Sequence, residues 1–518
     1  QEGVMFRILG NRRKLCDGFT RRDWLNIGSL GFLGLGLADV LRLQDVSSQT
    51  ARAADRGDRS SLDATFGRAK RCILLLPYGS PPQHETFDPK PDAPDEIQGE
   101  LKAIPTSVPG YQVGEGLPKI SRIADRLTVI RSMTHPYPVH CTAYVTSGIP
   151  DYSPALESRP RDPKLWPYIG SVVDYVMSRR ESAGLGTAAL VPRNMALPWK
   201  MNSRGGPKAA AVQAGPYAAF LGPAYDPVLT DFEGEGSRVS IKISPAGGKK
   251  HKVYDPYAGI KPEGRFTLAG AKRRDSMTLE RQDRRNSLLA RFGKARKQLD
   301  RNAESLSFDR YQQLALSLLS TTHVHQALDI HQESDAMRYG YGMNLFGQSC
   351  LAARRLVEAG SKFVTVFWDE YAYLNADWDT HWNHFYRLKD RLLPGFDQGF
   401  SQLILDLETR GMLDDTLVVW MSEHGRTPKF NKNAGRDHWS RVYSIAMAGA
   451  GVGRGNIIGE SDRLAGDVKS HPVSPKDILA TILHLMGIDA HTTIPDQQDR
   501  PVPVAGTGVL RPEIFRGT

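Results

Sequence analysis

The feature that most constrains this chain is a set of short, nearly uninterrupted apolar runs: CILLL at 72–76, LTVIRSM at 127–133, KFVTVFW at 362–368 and TLVVW at 416–420. Such runs read as strands buried in a parallel sheet, and the first is ended by Pro77 and Gly79. GQSCLAARRLVEAG, closed by Gly360, is an amphipathic helix, and the segment NADWDTHWNHFYRLKDRLLPGFDQGFSQLILDLETRGML reads as a long helix between the last two strands. Strand, helix and strand with short connections mark an α/β fold with a parallel sheet.

In such sheets ligands gather beyond the carboxyl ends of the strands. Asp377, Asp379, His381 and His384 follow KFVTVFW; Glu423 and His424 follow TLVVW; Asp437 and His438 lie on the loop beyond. A lone Asp-His dipeptide is an ordinary surface turn. Three acid-plus-histidine sets at successive strand ends point to an ion, and carboxylates mixed with imidazoles suit zinc, manganese or iron better than calcium or magnesium. The polar loop Tyr78–Asp88 faces the same place, with DPKPDAP as a proline-fixed turn. After LTVIRSM, His135 and His140 flank a proline-rich turn, and TAYVTSG begins a helix whose N–H groups suit an anion. Thr142 and Cys141 are the candidate nucleophiles there, against the plainer reading of a polar turn with a packed cysteine.

The outer parts of the chain carry other information. FTRRDWLNIGSLGFLGLGLADVL, with Arg21 and Arg22, matches the twin-arginine export pattern, so 1–45 is read as a signal segment and 46–68 as a linker. This places the mature protein in the periplasm or outside the cell, with ARAA at 51–54 as the candidate cleavage site and membrane anchoring by an uncleaved signal as the alternative. Residues 69–518 form the α/β domain, with an insertion at about 155–335 that is rich in Pro and Gly at first. Leu279, Leu288, Leu289, Phe292 and Leu299 then mark exposed amphipathic helices, and His323, His325 and His331 are read as a helix face without a metal. The 67 basic and 57 acidic residues give a net charge of +10, a mild excess over 518 residues. No helix-turn-helix, zinc-finger or aromatic-basic motif accompanies it, so no nucleic-acid partner is expected. The four cysteines have no CxxC spacing and form neither a zinc cluster nor a disulfide framework.

GSPPQHETFDPKPDAPDEIQGE, RRLVEAGSKFVTV, WDTHWNHF, SEHGRTPKFNKNAGRDHW and DILATILHLMGID resemble the bacterial exported family called domain of unknown function 1501, placed near the sulfatases and alkaline phosphatases. The resemblance covers essentially the whole chain. It implies a doubly wound, mostly parallel sheet, one or two divalent ions (zinc first, manganese or iron as alternatives), and hydrolysis of an anionic small-molecule or polysaccharide phosphate or sulfate ester. It places Glu423 and His424 at one metal, Asp379 and His381 at the other with Asp377 as an alternative, and His438 completing the second site. Thr142 is carried as the candidate catalytic hydroxyl, with Arg426 and Lys432 neutralising the remaining anionic charge.

The chain departs from the superfamily pattern in three places. Glu423 stands where an Asp is usual, and the first strand ends in LLLPYGS without an acid, leaving His84, Glu85 or Asp88 to substitute. CTAYV at 141–145 is not a formylglycine motif, which leaves metal-bound hydroxide as a nucleophile. The alternative function is a non-catalytic scaffold on the same fold that binds an anion or a glycan.

Overall fold

The computed structural model describes residues 62–149, 151–185, 191–205, 215–243, 249–268, 322–373 and 377–516. The signal segment, nearly all of the linker and the helices at 279–299 lie outside the described residues. Contacts divide the chain into two units, Gln1–Ala64 and Thr65–Thr518, and the second is described here.

Its main elements are β1 (Arg71–Pro77), β2 (Leu127–Met133), α1 (Thr142–Thr146), α2 (Ile169–Ser182), β3 (Asn194–Leu197), β4 (Val228–Glu233), β5 (Arg265–Leu268), α3 (Leu345–Glu358), β6 (Phe363–Trp368), α4 (Leu393–Thr409), β7 (Thr416–Trp420), β8 (Tyr443–Ala448), β9 (Asn456–Ile458) and α5 (Pro475–Leu485). Among the described residues, nine strands form one sheet in the order β9-β2-β8-β7-β1-β6-β3-β4-β5. The apolar run of β1 lies at its centre, parallel to both β6 and β7, with Cys72 opposite Phe363 on one side and Leu417 on the other. The sheet is mostly parallel; the antiparallel pairings are β2 with β8, β8 with β7, and β4 with β5.

Alternation along β1 explains why the sheet is covered on both sides. Ile73 and Leu75 pack with Phe346 and Leu351 of α3 and Phe396 and Phe400 of α4. Cys72 and Leu74 point the other way, into a core with Val172 and Val173 of α2 and Leu479 and Ile482 of α5. The fold is therefore doubly wound. Each such side chain contributes about 1.5–3 kcal/mol by leaving water. Local signals agree with the packing: Ser474 and Asp477 form a capping box at the start of α5, and Asn344 caps α3 through the Gly347 N–H.

Two expectations need amending. Residues 155–335 are more than an insertion, because they supply β3, β4 and β5, one edge of the sheet, as well as α2. Strands of four to six residues between Pro- and Gly-rich loops are too short to leave a periodic signal. The long helix before β7 starts only at His384, so Asp377–His381 lie on a loop. It also passes through a π turn at Leu388–Leu392 before α4. Pro394 has no N–H to give to the preceding turn, which accounts for the irregular start of α4. Among the described residues no helix is long and apolar enough to cross a membrane.

Candidate metal centre

Because β1, β6 and β7 are parallel, the loops that follow them leave the same edge of the sheet. β2 is antiparallel to β8, which is antiparallel to β7, so the loop carrying His135 and His140 leaves that edge too. Beyond β7 the chain turns through Glu423 and His424. Gly425–Arg426 then pairs antiparallel with His438–Trp439 and returns His438 to His424, with ring centroids 4.5 Å apart.

Asp379 is the centre of the cluster. Its Oδ1 lies 3.0 Å from His438 Nε2, 3.0 Å from His381 Nε2 and 2.6 Å from Arg426 Nη2, and its Oδ2 lies 3.4 Å from His140 Nε2. His140 Nδ1 is 2.9 Å from Glu423 Oε1. Burial would raise the Asp379 carboxyl, but Arg426 and His140 hold it well below the usual range. Glu423 is likewise held down against burial, chiefly by His140. Burial alone would lower His140, yet the two carboxylates push it up to about 10. His438 is lowered to about 4 by burial, in spite of its bond to Asp379.

His424 bears most directly on metal binding. Burial, His438 and Arg426 drive its pKa well below the ordinary value, so the ring is neutral. Its Nδ1 donates to Gly425 O at 2.8 Å, which leaves the lone pair on Nε2, and that atom is buried with no hydrogen-bond partner. A neutral imidazole fixed by its other nitrogen is the form in which histidine binds a metal. Among the described residues, two groups have ligand atoms within 4.8 Å of one another: His140, His424 and His438; and Asp379, His381 and His438. Their imidazole and carboxylate donors fit zinc, manganese or iron. A neutral imidazole has a single lone pair, so the shared His438 serves one ion.

Glu423 is fully buried and belongs to neither group: Oε1 also accepts from Gly79 N at 3.1 Å, and Oε2 from Ser422 Oγ at 3.1 Å. Arg426 is corrected from an anion clamp to an internal support. Its guanidinium is buried and donates to Ser80 O, Gly79 O, Arg436 O and Asp379. Lys432 is exposed on the loop between the two short strands.

Thr142 opens α1 but is only 1% exposed, and its Oγ1 is buried without a partner. The α1 amides read as an anion site are already occupied, since Glu157 accepts from Ala143 N at 3.2 Å and Tyr144 N at 2.9 Å. Burial raises Glu157 to about 7. Cys141 is buried beside Glu423 O.

Asp377 is no substitute for Asp379, because its carboxylate faces Lys242 Nζ at 3.5 Å. His84 bonds to Leu464 O, Glu85 to Arg436, and Asp88 to Lys90 and Ser461, so none of the three stands in for the missing first-strand acid. In place of an acid, β1 delivers the Gly79 N–H to Glu423 and the Tyr78 ring, stacked 4.8 Å from His140.

His140 is the member of the cluster that in the sequence only flanks a proline-rich turn. Its signal was its position after the LTVIRSM strand, but the direction of that strand in the sheet depends on β8. Asn431 was missed altogether; its Nδ2 donates to His381 O at 3.0 Å and Asp437 Oδ1 at 2.8 Å.

No curated protein matches the chain. Solved structures with a similar course of the chain include the PsFucS1 sulfatase from Pseudoalteromonas sp., 13% identical, covering 90% of this chain and 74% of that one with a TM-score of 0.36. The lipoteichoic acid synthase LtaP from Listeria monocytogenes is 10% identical, with 86% and 76% covered and a TM-score of 0.33. The phosphonate monoester hydrolase SpPMH from Silicibacter pomeroyi is 10% identical, with the same coverages and a TM-score of 0.32. The profile described as "Protein of unknown function (DUF1501)" matches residues 69–514, and the chain belongs to that family.

Proposed function

We propose that the protein is an exported, metal-dependent hydrolase of phosphate or sulfate esters, acting in the periplasm or outside the cell on a small anionic ester or an esterified polysaccharide. The observation that carries this reading is the buried, neutral His424 with its unpartnered Nε2, beside Asp379, His438, His140 and His381 at the strand ends. A divalent ion held by these groups would polarise an ester oxygen and lower the pKa of a bound water. Arg426 and the Gly79 N–H hold Asp379 and Glu423 in place, and the buried setting strengthens every charge interaction there. His140 lies between Glu423 and Asp379, with Nδ1 on the first and Nε2 turned to the second.

The test is elemental analysis of protein purified without added metals or chelators, followed by assays on aryl phosphate and aryl sulfate. One or two equivalents of zinc, manganese or iron are expected, and His424→Ala and His438→Ala should each lower metal and activity together. Full metal and full activity in both variants would remove the reading.

A second reading, a non-catalytic scaffold that binds an anion or a glycan, is favoured by one observation. The Thr142 hydroxyl, the candidate nucleophile, is buried. Absence of stoichiometric metal in the native protein would support it.

A further inference from the structure

We infer that Glu423 and Asp437 orient ligands and are not themselves ligands: each backs one histidine of the metal centre, and Asp379 is the carboxylate that binds the ion. The inference rests on the metal-binding part of the proposed function and assigns its residues.

The geometry repeats itself on two sides of Asp379. Glu423 Oε1 meets His140 Nδ1 at 2.9 Å, and Asp437 Oδ1 meets His381 Nδ1 at 2.6 Å. A carboxylate can only accept, so without a metal both nitrogens of each ring donate; an ion seated against Asp379 would replace the Nε2 protons, while Glu423 and Asp437 keep the Nδ1 protons. Both Nε2 atoms face Asp379, at 3.4 and 3.0 Å. His424 follows the same rule with a backbone carbonyl as its support. A carboxylate or carbonyl on the far nitrogen fixes the tautomer and ring orientation of a metal-binding histidine.

The backing groups are themselves held. Glu423 is tied by the Gly79 N–H and by Ser422. At Gly79, φ is +94° and a Cβ would collide with the Asp379 amide, so only glycine lets that N–H approach. Asp437 is tied by Asn431, which also holds the His381 carbonyl. At Gly435 a Cβ would collide with that same carbonyl, so the two loops are in direct backbone contact.

The experiment is zinc titration of the chelator-stripped full chain by calorimetry, with zinc X-ray absorption to count imidazoles. Glu423→Gln and Asp437→Asn should keep the wild-type zinc stoichiometry and imidazole count while binding about 10- to 100-fold more weakly. Asp379→Asn should lose stoichiometric zinc. Loss of stoichiometric zinc in a folded Glu423→Gln protein, or bound zinc with one oxygen neighbour fewer, would overturn the inference, as would unchanged affinity in both variants. If Glu423→Gln loses its metal-free circular dichroism, Asp437→Asn decides, since Asp437 is half exposed. Zinc bound as expected by a protein that hydrolyses no ester removes the hydrolase reading and supports this one. A wild-type protein that binds no zinc overturns both.

Discussion

Asp377 and Asp379 are two residues apart on one loop, both buried, and they enter opposite kinds of surroundings. Asp377 faces Lys242 at 3.5 Å and Arg391 at 4.0 Å, and the same two cations hold Asp255 at 2.7 and 3.5 Å. Both acids are answered by permanent cations, and Arg391 also reaches Asp390 at 3.8 Å. Among the described residues, Asp379 has one permanent cation, Arg426, and three imidazoles as ion-pair partners. Lysine and arginine keep their protons at any working pH, whereas an imidazole can exchange a proton for a metal. The difference teaches that burial and charge alone do not mark a functional acid; the chemistry of its partners does.

The largest effect that tests this contrast comes from Lys242→Met. It leaves Asp255 and Asp377 facing Arg391 alone in the interior, and a loss of about 3–5 kcal/mol is expected in denaturant unfolding. Metal content per folded molecule should be unchanged. Loss of metal at unchanged stability would break the comparison, because the Asp377 cluster would then belong to the site.

Glu85 sharpens the contrast, having one partner of each kind: Arg436 at 2.6 Å and His384 at 3.3 Å. Burial and Arg436 push His384 below its ordinary value, so its ring is neutral at pH 7 and the arginine carries the pairing. Glu85 is lowered to about 2 against the effect of burial, mainly by Arg436. A depressed carboxyl pKa contributes stability that is fully present above the ordinary value near 4.5 and is lost as pH falls to about 2. Glu85→Gln should therefore lower stability at pH 7 by about 3 kcal/mol, with the deficit shrinking between those two pH values. A deficit that stays constant down to pH 2 would assign the effect to packing.

Much of this contrast was legible in the sequence, and the rest was not for identifiable reasons. The apolar runs at 72–76, 362–368 and 416–420 became adjacent parallel strands, and Asp379, His381, Glu423, His424 and His438 sit at or just beyond their carboxyl ends. Which of Asp377 and Asp379 joins the histidines was not legible. It depends on Lys242, from a hairpin about 135 residues earlier in the chain. His140 escaped because β2 joins the sheet through the antiparallel β8. The α1 amides looked available because their occupant, Glu157, is itself in irregular sequence.

The smallest effect expected is that of Asn431→Ala, and it probes how far the Asp379 cluster depends on outer support. Asn431 Nδ2 gives one bond to Asp437 and one to the His381 carbonyl, both partly exposed, so about 1 kcal/mol of stability should be lost. Water can replace the amide at the Asp437 carboxylate but cannot fix its direction, so the His381 ring gains freedom and zinc affinity should fall several-fold. The fall should be smaller than in Asp437→Asn, where the carboxylate charge is also lost. Equal losses in the two variants would mean that Asp437 acts only through its position. An Asn431→Ala protein with unaltered zinc affinity would mean that the short bond between His381 and Asp437 holds by itself.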